Sequence, residues 1–228
     1  MNLSNLEKKL KIKFNNVDLL QQAMIHRSYL NENPDFYLEH NERLEFLGDA
    51  VLEMVVTENL YCKYPNPEGD LTSWRAALVN ASMLSDVAKK LDIDNYLLLS
   101  KGEKKDTGRA RKFILADALE ALIGAIYLDQ GYETSSKFIE KNILKELPKI
   151  LNQKLYRDSK SCFQEKSQEH LGITPNYKVI KESGPDHEKH FIVGAYIGKD
   201  LIAEGEGVSK QNAQMDAAKN ALKKKGWN

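Results

Sequence analysis

Two apolar stretches of this sequence carry acids at helical spacing. In HNERLEFLGDAVLEMVV, from His40 to Val56, a helix would bring Glu42, Glu45 and Asp49 within about 60° of one another, with Leu44, Leu47, Val51 and Val55 on the opposite side. Leu52 and Val56 extend the acidic stripe one and two turns later, so these acids belong at the edge of a core rather than in open water. The second stretch, FILADALEALIGAIYL from Phe113 to Leu128, has Asp117 and Glu120 as its ionisable carboxylates, three residues apart and so on one helical face. Gly124 continues that row and would let another backbone or side chain approach closely. An ionised carboxylate buried without compensation costs on the order of several kcal/mol, so such groups are paired, protonated or bound to a cation. Taken singly, either set is open to a plainer account: surface pairing of Glu42 and its neighbours with Arg43, or local hydrogen bonding by Asp117. Taken together they call for a common partner. Oxygen ligands with no His or Cys cluster nearby suit a hard cation, and Mg2+ in particular uses a few carboxylates plus substrate phosphate. Such an ion polarises a phosphodiester and activates a water, which makes phosphodiester hydrolysis the natural reaction.

The elements that must position these acids can be read from periodicity. From residue 3 to about 150 the apolar residues recur mostly at helical spacing, so this part is expected to be nearly all helix. Breaks are expected at Asn31 to Pro34, Tyr64 to Asp70, Lys101 to Lys112, Gln130 to Gly131 and Pro148. After Leu151 the pattern changes. The polar NQKLYRDSK reads as a linker, and beyond it come a helix over Ser161 to Leu171, strands over Tyr177 to Lys181, Phe191 to Ile197 and Leu201 to Glu206, and a helix over Ser209 to Lys224. The expected division is 1–150, a linker over 151–158, and an α-β-β-β-α unit over 159–228.

Composition limits the partners and the compartment. The 228 residues carry 33 basic and 33 acidic side chains, so there is no overall basic excess of the kind that marks many nucleic-acid binders. No apolar stretch reaches the roughly 18 to 20 residues of a membrane span, and the first residues lack a signal-peptide core, so the expected location is cytoplasmic. Cys62 and Cys162 have no metal-type spacing and fall in different expected domains, so they are read as reduced thiols.

NERLEFLGDAVL resembles the signature of ribonuclease III, and HRSYLNE, EGDLTSWRAALVN and ADALEALIGAIYLD follow in the same order as in that family. The resemblance covers essentially the whole chain. It implies an all-α endonuclease domain that cuts double-stranded RNA, forms a two-fold homodimer and leaves 5′-phosphates and short 3′ overhangs, with roles in processing rRNA precursors and other structured transcripts. Carried over by motif position, Glu45, Asp49, Asp117 and Glu120 would be catalytic and would hold Mg2+, with Mn2+ able to substitute. Glu42 would support the site from its edge, and Glu68 in PEGD would act near the scissile region, although a turn-forming acid explains Glu68 equally well. Glu53 lies outside the motif and is read as solvent-facing. For His26 and Arg27 in HRS, helix packing or capping is favoured over chemistry. KGEKKDTGRARK holds six basic residues against two acids, a composition that suits phosphate contact and equally a solvated loop.

The C-terminal unit resembles a double-stranded RNA-binding domain, an α+β fold that reads duplex RNA by shape and 2′-hydroxyls. That resemblance assigns minor-groove contacts to Gln164, Glu165 and Gln168, a turn contact to His187 in GPDHEKHF, and phosphate contact to Lys210. The last helix departs from the family pattern: Gln211 stands where a second basic residue is expected. The alternative function is a double-stranded RNA-binding regulator that keeps the fold without cleavage. The intact Glu45, Asp49, Asp117 and Glu120 argue against it. A helical phosphohydrolase acting on small nucleotides would explain the acids but not the C-terminal unit.

Overall fold

The computed structural model describes residues 3–105, 108–152, 159–185 and 189–227. The chain divides into two compact units, Met1–Tyr156 and Arg157–Asn228.

The first unit is helical among its described residues: α1 (Leu3–Leu10), α2 (Val17–Ala23), α3 (Arg27–Glu32), α4 (Glu42–Lys63), α5 (Glu68–Val79), α6 (Ala81–Lys90), α7 (Arg109–Asn142) and α8 (Leu147–Asn152). The centre of α7 is buried on nearly every side. Ile114, Leu115, Ala116, Ala118, Leu119, Ala121, Leu122, Ile123, Ala125 and Ile126 are all core residues, and only Asp117 and Glu120 interrupt them. Alanine and leucine are strong helix formers, so the sequence favours this helix locally as well as through burial. Against it lies α4, which buries Leu44, Val51, Leu52, Val55, Val56 and Leu60. The remaining helices close over this pair. Trp74 and Leu78 of α5 and Leu84, Val87 and Ala88 of α6 join the same core.

Local signals fix the ends. The Asn80 side chain accepts from the Met83 amide and starts α6, and Asn16 does the same for α2 through the Asp18 amide. The α4 entry is held by buried Asn41, whose side-chain amide donates to the Ala23 carbonyl at 3.3 Å. The break expected at Gln130 to Gly131 takes the form of a kink inside α7, where Gly131 adopts φ 77°. That positive φ is open to glycine with little steric cost, so the chain turns here between two helical segments.

The second unit runs α9 (Ser159–Leu171), β1 (Asn176–Ser183), β2 (His190–Ile197), β3 (Asp200–Gly207) and α10 (Lys210–Lys225). Its sheet has the order β1-β2-β3, antiparallel throughout, with Val179 opposite Val193 and Ala195 opposite Ala203. Both helices pack on one face: Phe163 of α9 and Ala217, Ala218 and Ala221 of α10 share a core with Ala195 and Ile197 of β2. Gly205 admits α10 against β3, since a Cβ there would meet the Ala217 backbone. The expected α-β-β-β-α order is thus the observed one, and it follows in sequence a unit that is helical among its described residues.

Candidate metal centre and nucleic-acid interface

Where α4 crosses α7, Gly48 and Gly124 face each other. A Cβ on Gly48 would sit 2.9 Å from the Gly124 amide nitrogen, and one on Gly124 would sit 3.1 Å from the Gly48 amide nitrogen. Only glycines permit this backbone approach. It brings the acidic stripe of one helix onto that of the other.

Three of the acids converge there. Glu45, Asp117 and Glu120 each offer a carboxylate oxygen, and these atoms lie within 4.8 Å of one another. All three side chains are half-buried. Burial pushes the Glu120 carboxyl up to about 8, aided by the charges of Asp49, Asp117, Glu45 and Glu53. Glu45 is raised by burial and then by Asp117, Glu42 and Asp49. Asp117 is raised by burial and, more weakly, by Glu42. Burial is thus the largest cause for all three groups, and neighbouring carboxylates add to it.

Asp49 stands one turn beyond Glu45, exposed to solvent, and its oxygens are outside the group of three. Its charge nevertheless acts on both Glu45 and Glu120. Glu42 lies at the edge, 3.6 Å from Arg27 and 3.8 Å from His40. Glu53, expected to face solvent, pairs with Arg75 at 3.0 Å and contributes to the field on Glu120. Glu68 is not brought to this cluster. It opens α5 and lines a separate cavity of about 750 Å³ with Tyr61, Asn66 and Arg75.

A cleft of about 590 Å³ opens beside the acids, with Glu42, Glu45 and Asp117 on its wall. His26 and Arg27 line it too, a placement that sequence reasoning did not supply. His26 caps α3: its Nδ1 accepts from the Ser28 amide and lies 2.8 Å from Ser28 Oγ. Burial holds the His26 imidazole below its ordinary pKa, which suits a neutral acceptor.

The donor set fits a hard divalent cation. Clustered carboxylate oxygens, unmatched charge and an open cleft for a substrate oxygen are what Mg2+-type sites use.

In the second unit, Gln164, Glu165 and Gln168 are all exposed on α9, and the Gln168 side-chain amide donates to Thr174 at 3.1 Å. Lys210 is exposed at the start of α10, its Nζ 5.6 Å from the Phe191 ring centre, with Ser209 capping the helix through the Asn212 amide. His187 lies outside the described residues.

Residues 16–147 match the Ribonuclease-III-like family, and residues 159–225 match the double-stranded RNA binding motif. The chain belongs to the ribonuclease III family. It is similar to Ribonuclease 3 of Borreliella afzelii, 46% identical over 97% of this chain and 90% of that one. Ribonuclease 3 of Enterococcus faecalis is 44% identical, over 96% of each chain. Among solved structures, a nuclease domain of ribonuclease III from Campylobacter jejuni, described for flexibility in a region involved in dimer formation, superposes with a TM-score of 0.55. It is 42% identical and covers 62% of this chain and 98% of that one. As in that family, the chain is a divalent-metal-dependent endoribonuclease joined to a double-stranded RNA-binding domain.

Proposed function

We propose that Glu45, Asp49, Asp117 and Glu120 form the catalytic metal centre of this double-stranded-RNA endoribonuclease, that Mg2+ is its ion with Mn2+ as a substitute, and that Glu42 supports it. The observation that carries this reading is the convergence of Glu45, Asp117 and Glu120 oxygens within 4.8 Å across the α4–α7 crossing. When bound, Mg2+ supplies Lewis acidity to the phosphodiester and lowers the pKa of the attacking water. The carboxylates hold and orient that charge. Asp49, exposed one turn beyond Glu45, would complete the group when a cation and substrate are bound. Glu68, which opens α5 beside Tyr61 near the far end of α4, would act near the scissile region at the site of a partner subunit in a two-fold dimer.

The reading includes a homodimer. Phe46 is 82% exposed on α4 and Leu128 is 55% exposed on α7, and the two line one cavity with Leu19 and Leu47. Exposed Phe46 and Leu128, in a hollow whose lining also includes Glu39, His40 and Arg43, suit a self-complementary two-fold contact. Gln164, Glu165, Gln168, His187 and Lys210 would read the RNA duplex, with the first three on one exposed helix face and Lys210 at a helix start. No helix of the described residues is long and apolar enough to cross a membrane. We place the protein in the cytoplasm, acting on rRNA precursors and other structured transcripts. The expected products carry 5′-phosphates and short 3′ overhangs. The test is end analysis after digestion of a long RNA duplex in Mg2+: fragments that ligate without prior phosphorylation support the reading, and 5′-hydroxyl ends or no fragments contradict it.

A further inference from the structure

We propose that Arg27 is a phosphate-contacting residue, its guanidinium gripping a backbone phosphate of the RNA strand in the cleft that opens onto Glu45 and Asp117. The inference rests on reading the acids as the hydrolytic centre.

Electrostatics sets the problem. Glu42, Glu45 and Asp117 line a cleft of about 590 Å³, and Glu103 adds a fourth acid to its wall. A polyanion enters such a cleft only if cations offset the repulsion. Among the described residues that line it, Arg27 is the one arginine or lysine. A planar guanidinium with five donors matches two phosphate oxygens at once, which a lysine does not.

Arg27 is also poised for exchange. Its NH1 is 3.6 Å from Glu42 Oε1, longer than a hydrogen bond, and the side chain is 71% exposed. An exposed ion pair of that length contributes little. Of the other arginines of this unit with described partners, Arg111 is paired with Asp94 at 2.5 Å and only 15% exposed, Arg75 holds Glu53 at 3.0 Å and Thr57 at 2.9 Å, and Arg43, 3.6 Å from Glu39, lines a different hollow. The guanidinium of Arg27 can leave Glu42 for a phosphate without breaking a structural bond.

Its backbone, by contrast, is fixed. The His26 amide donates to the Leu98 carbonyl at 3.1 Å, and Ile25 bridges Leu98. The Ser100 amide donates to Ser28 Oγ, and the Lys101 amide donates to the Glu32 carboxylate. These bonds clamp the turn that bears Arg27 to the segment bearing Lys104 and Lys105, both exposed. An exposed guanidinium on an anchored turn is what phosphate capture near the metal centre needs.

The test compares wild type, Arg27→Ala, Arg27→Lys and Arg27→Gln on a long RNA duplex in Mg2+ across a salt series, with thermal unfolding of each. The expected result for Arg27→Ala is a fall in kcat/KM of about 10- to 100-fold, carried mainly by KM, and a log–log salt slope smaller by about one. Lysine should restore the slope and part of the rate, glutamine neither, and the unfolding temperatures should stay together. Wild-type KM and slope in Arg27→Ala would overturn the proposal. So would a loss of kcat at unchanged KM and slope, which would make Arg27 a positioning residue for Glu42. If the alanine variant unfolds, the lysine and glutamine variants carry the comparison: equal salt slopes for the two would refute phosphate contact. Should the wild type itself fail to cut, the hydrolytic reading fails first, and the two failures are thus told apart.

Discussion

Gly48 of α4 and Gly124 of α7 stand backbone to backbone, and the carboxylates of Glu45 and Glu120 meet because nothing larger separates them. A Cβ at either position would run into the other helix: Gly48 into the Glu120 carbonyl, Gly124 into the Leu44 carbonyl. Overpacking in a tight core costs about 1 to 3 kcal/mol, and more when the obstacle is backbone. Gly48→Ala and Gly124→Ala should therefore each destabilise the first unit by about 3 kcal/mol or more, read by denaturant unfolding. Metal affinity should fall as well, because the acids move apart.

The raised carboxyl of Glu120 makes metal binding depend on pH. Its folded-state pKa of about 8 lies above the ordinary value of 4.5. In the metal-free protein its contribution to stability is therefore full below about pH 4.5 and is lost as pH rises through about 8. A cation reverses this, because it binds the ionised form and displaces the proton. Below about pH 8 the apparent affinity should rise by up to about tenfold per pH unit for one displaced proton. Unfolding temperatures with Mg2+ and with chelator, measured from pH 5 to 9, should diverge as pH increases. In Glu120→Gln that divergence should shrink.

The exposed Phe46 should mark the dimer contact. Sedimentation of the wild type should give twice the 26.0 kDa chain mass. Phe46→Asp should give the single chain, with an unfolding temperature near that of a dilute wild-type sample.

In the second unit, Lys210→Ala should weaken binding of a non-cleaving Glu120→Gln protein to RNA duplexes of any sequence by a similar factor, with a salt slope reduced by about one. Phe163→Ala acts differently. It removes a fully buried ring from a small core and should cost about 3 to 5 kcal/mol, abolishing duplex binding through unfolding visible by circular dichroism.

Much of this was legible from residue spacing, and the reason is physical. Acids inside apolar helices are costly, so Glu42, Glu45, Asp49, Asp117 and Glu120 stand out against Leu44, Val51, Leu119 and Ile123, although spacing alone does not separate Glu42 and Asp49 from the three whose oxygens converge. The α-β-β-β-α order was equally plain, because strand and helix periods differ. Tertiary distance was not legible. Gly48 sits inside the same motif as Glu45 and gave no signal of its own, since its importance arises only where α7 meets it. Glu68 follows a turn sequence, yet its place by Tyr61 rather than by Glu120 depends on the direction in which α5 leaves α4. Sequence spacing marks Glu53 as solvent-facing because its partner Arg75 lies on another helix. Arg27 belongs by sequence with its capping neighbour His26, and only tertiary packing brings it to the same cleft as Glu45.

The most direct test of the central claim is cleavage of a long, perfect RNA duplex by the wild type and by Glu120→Gln, each with Mg2+ and with chelator, with duplex retardation measured in parallel. The account predicts short fragments from the wild type with Mg2+ alone, and a variant that retards the duplex like the wild type without cutting it. Cleavage by Glu120→Gln at the wild-type rate, or wild-type cleavage undiminished by chelator, would contradict it.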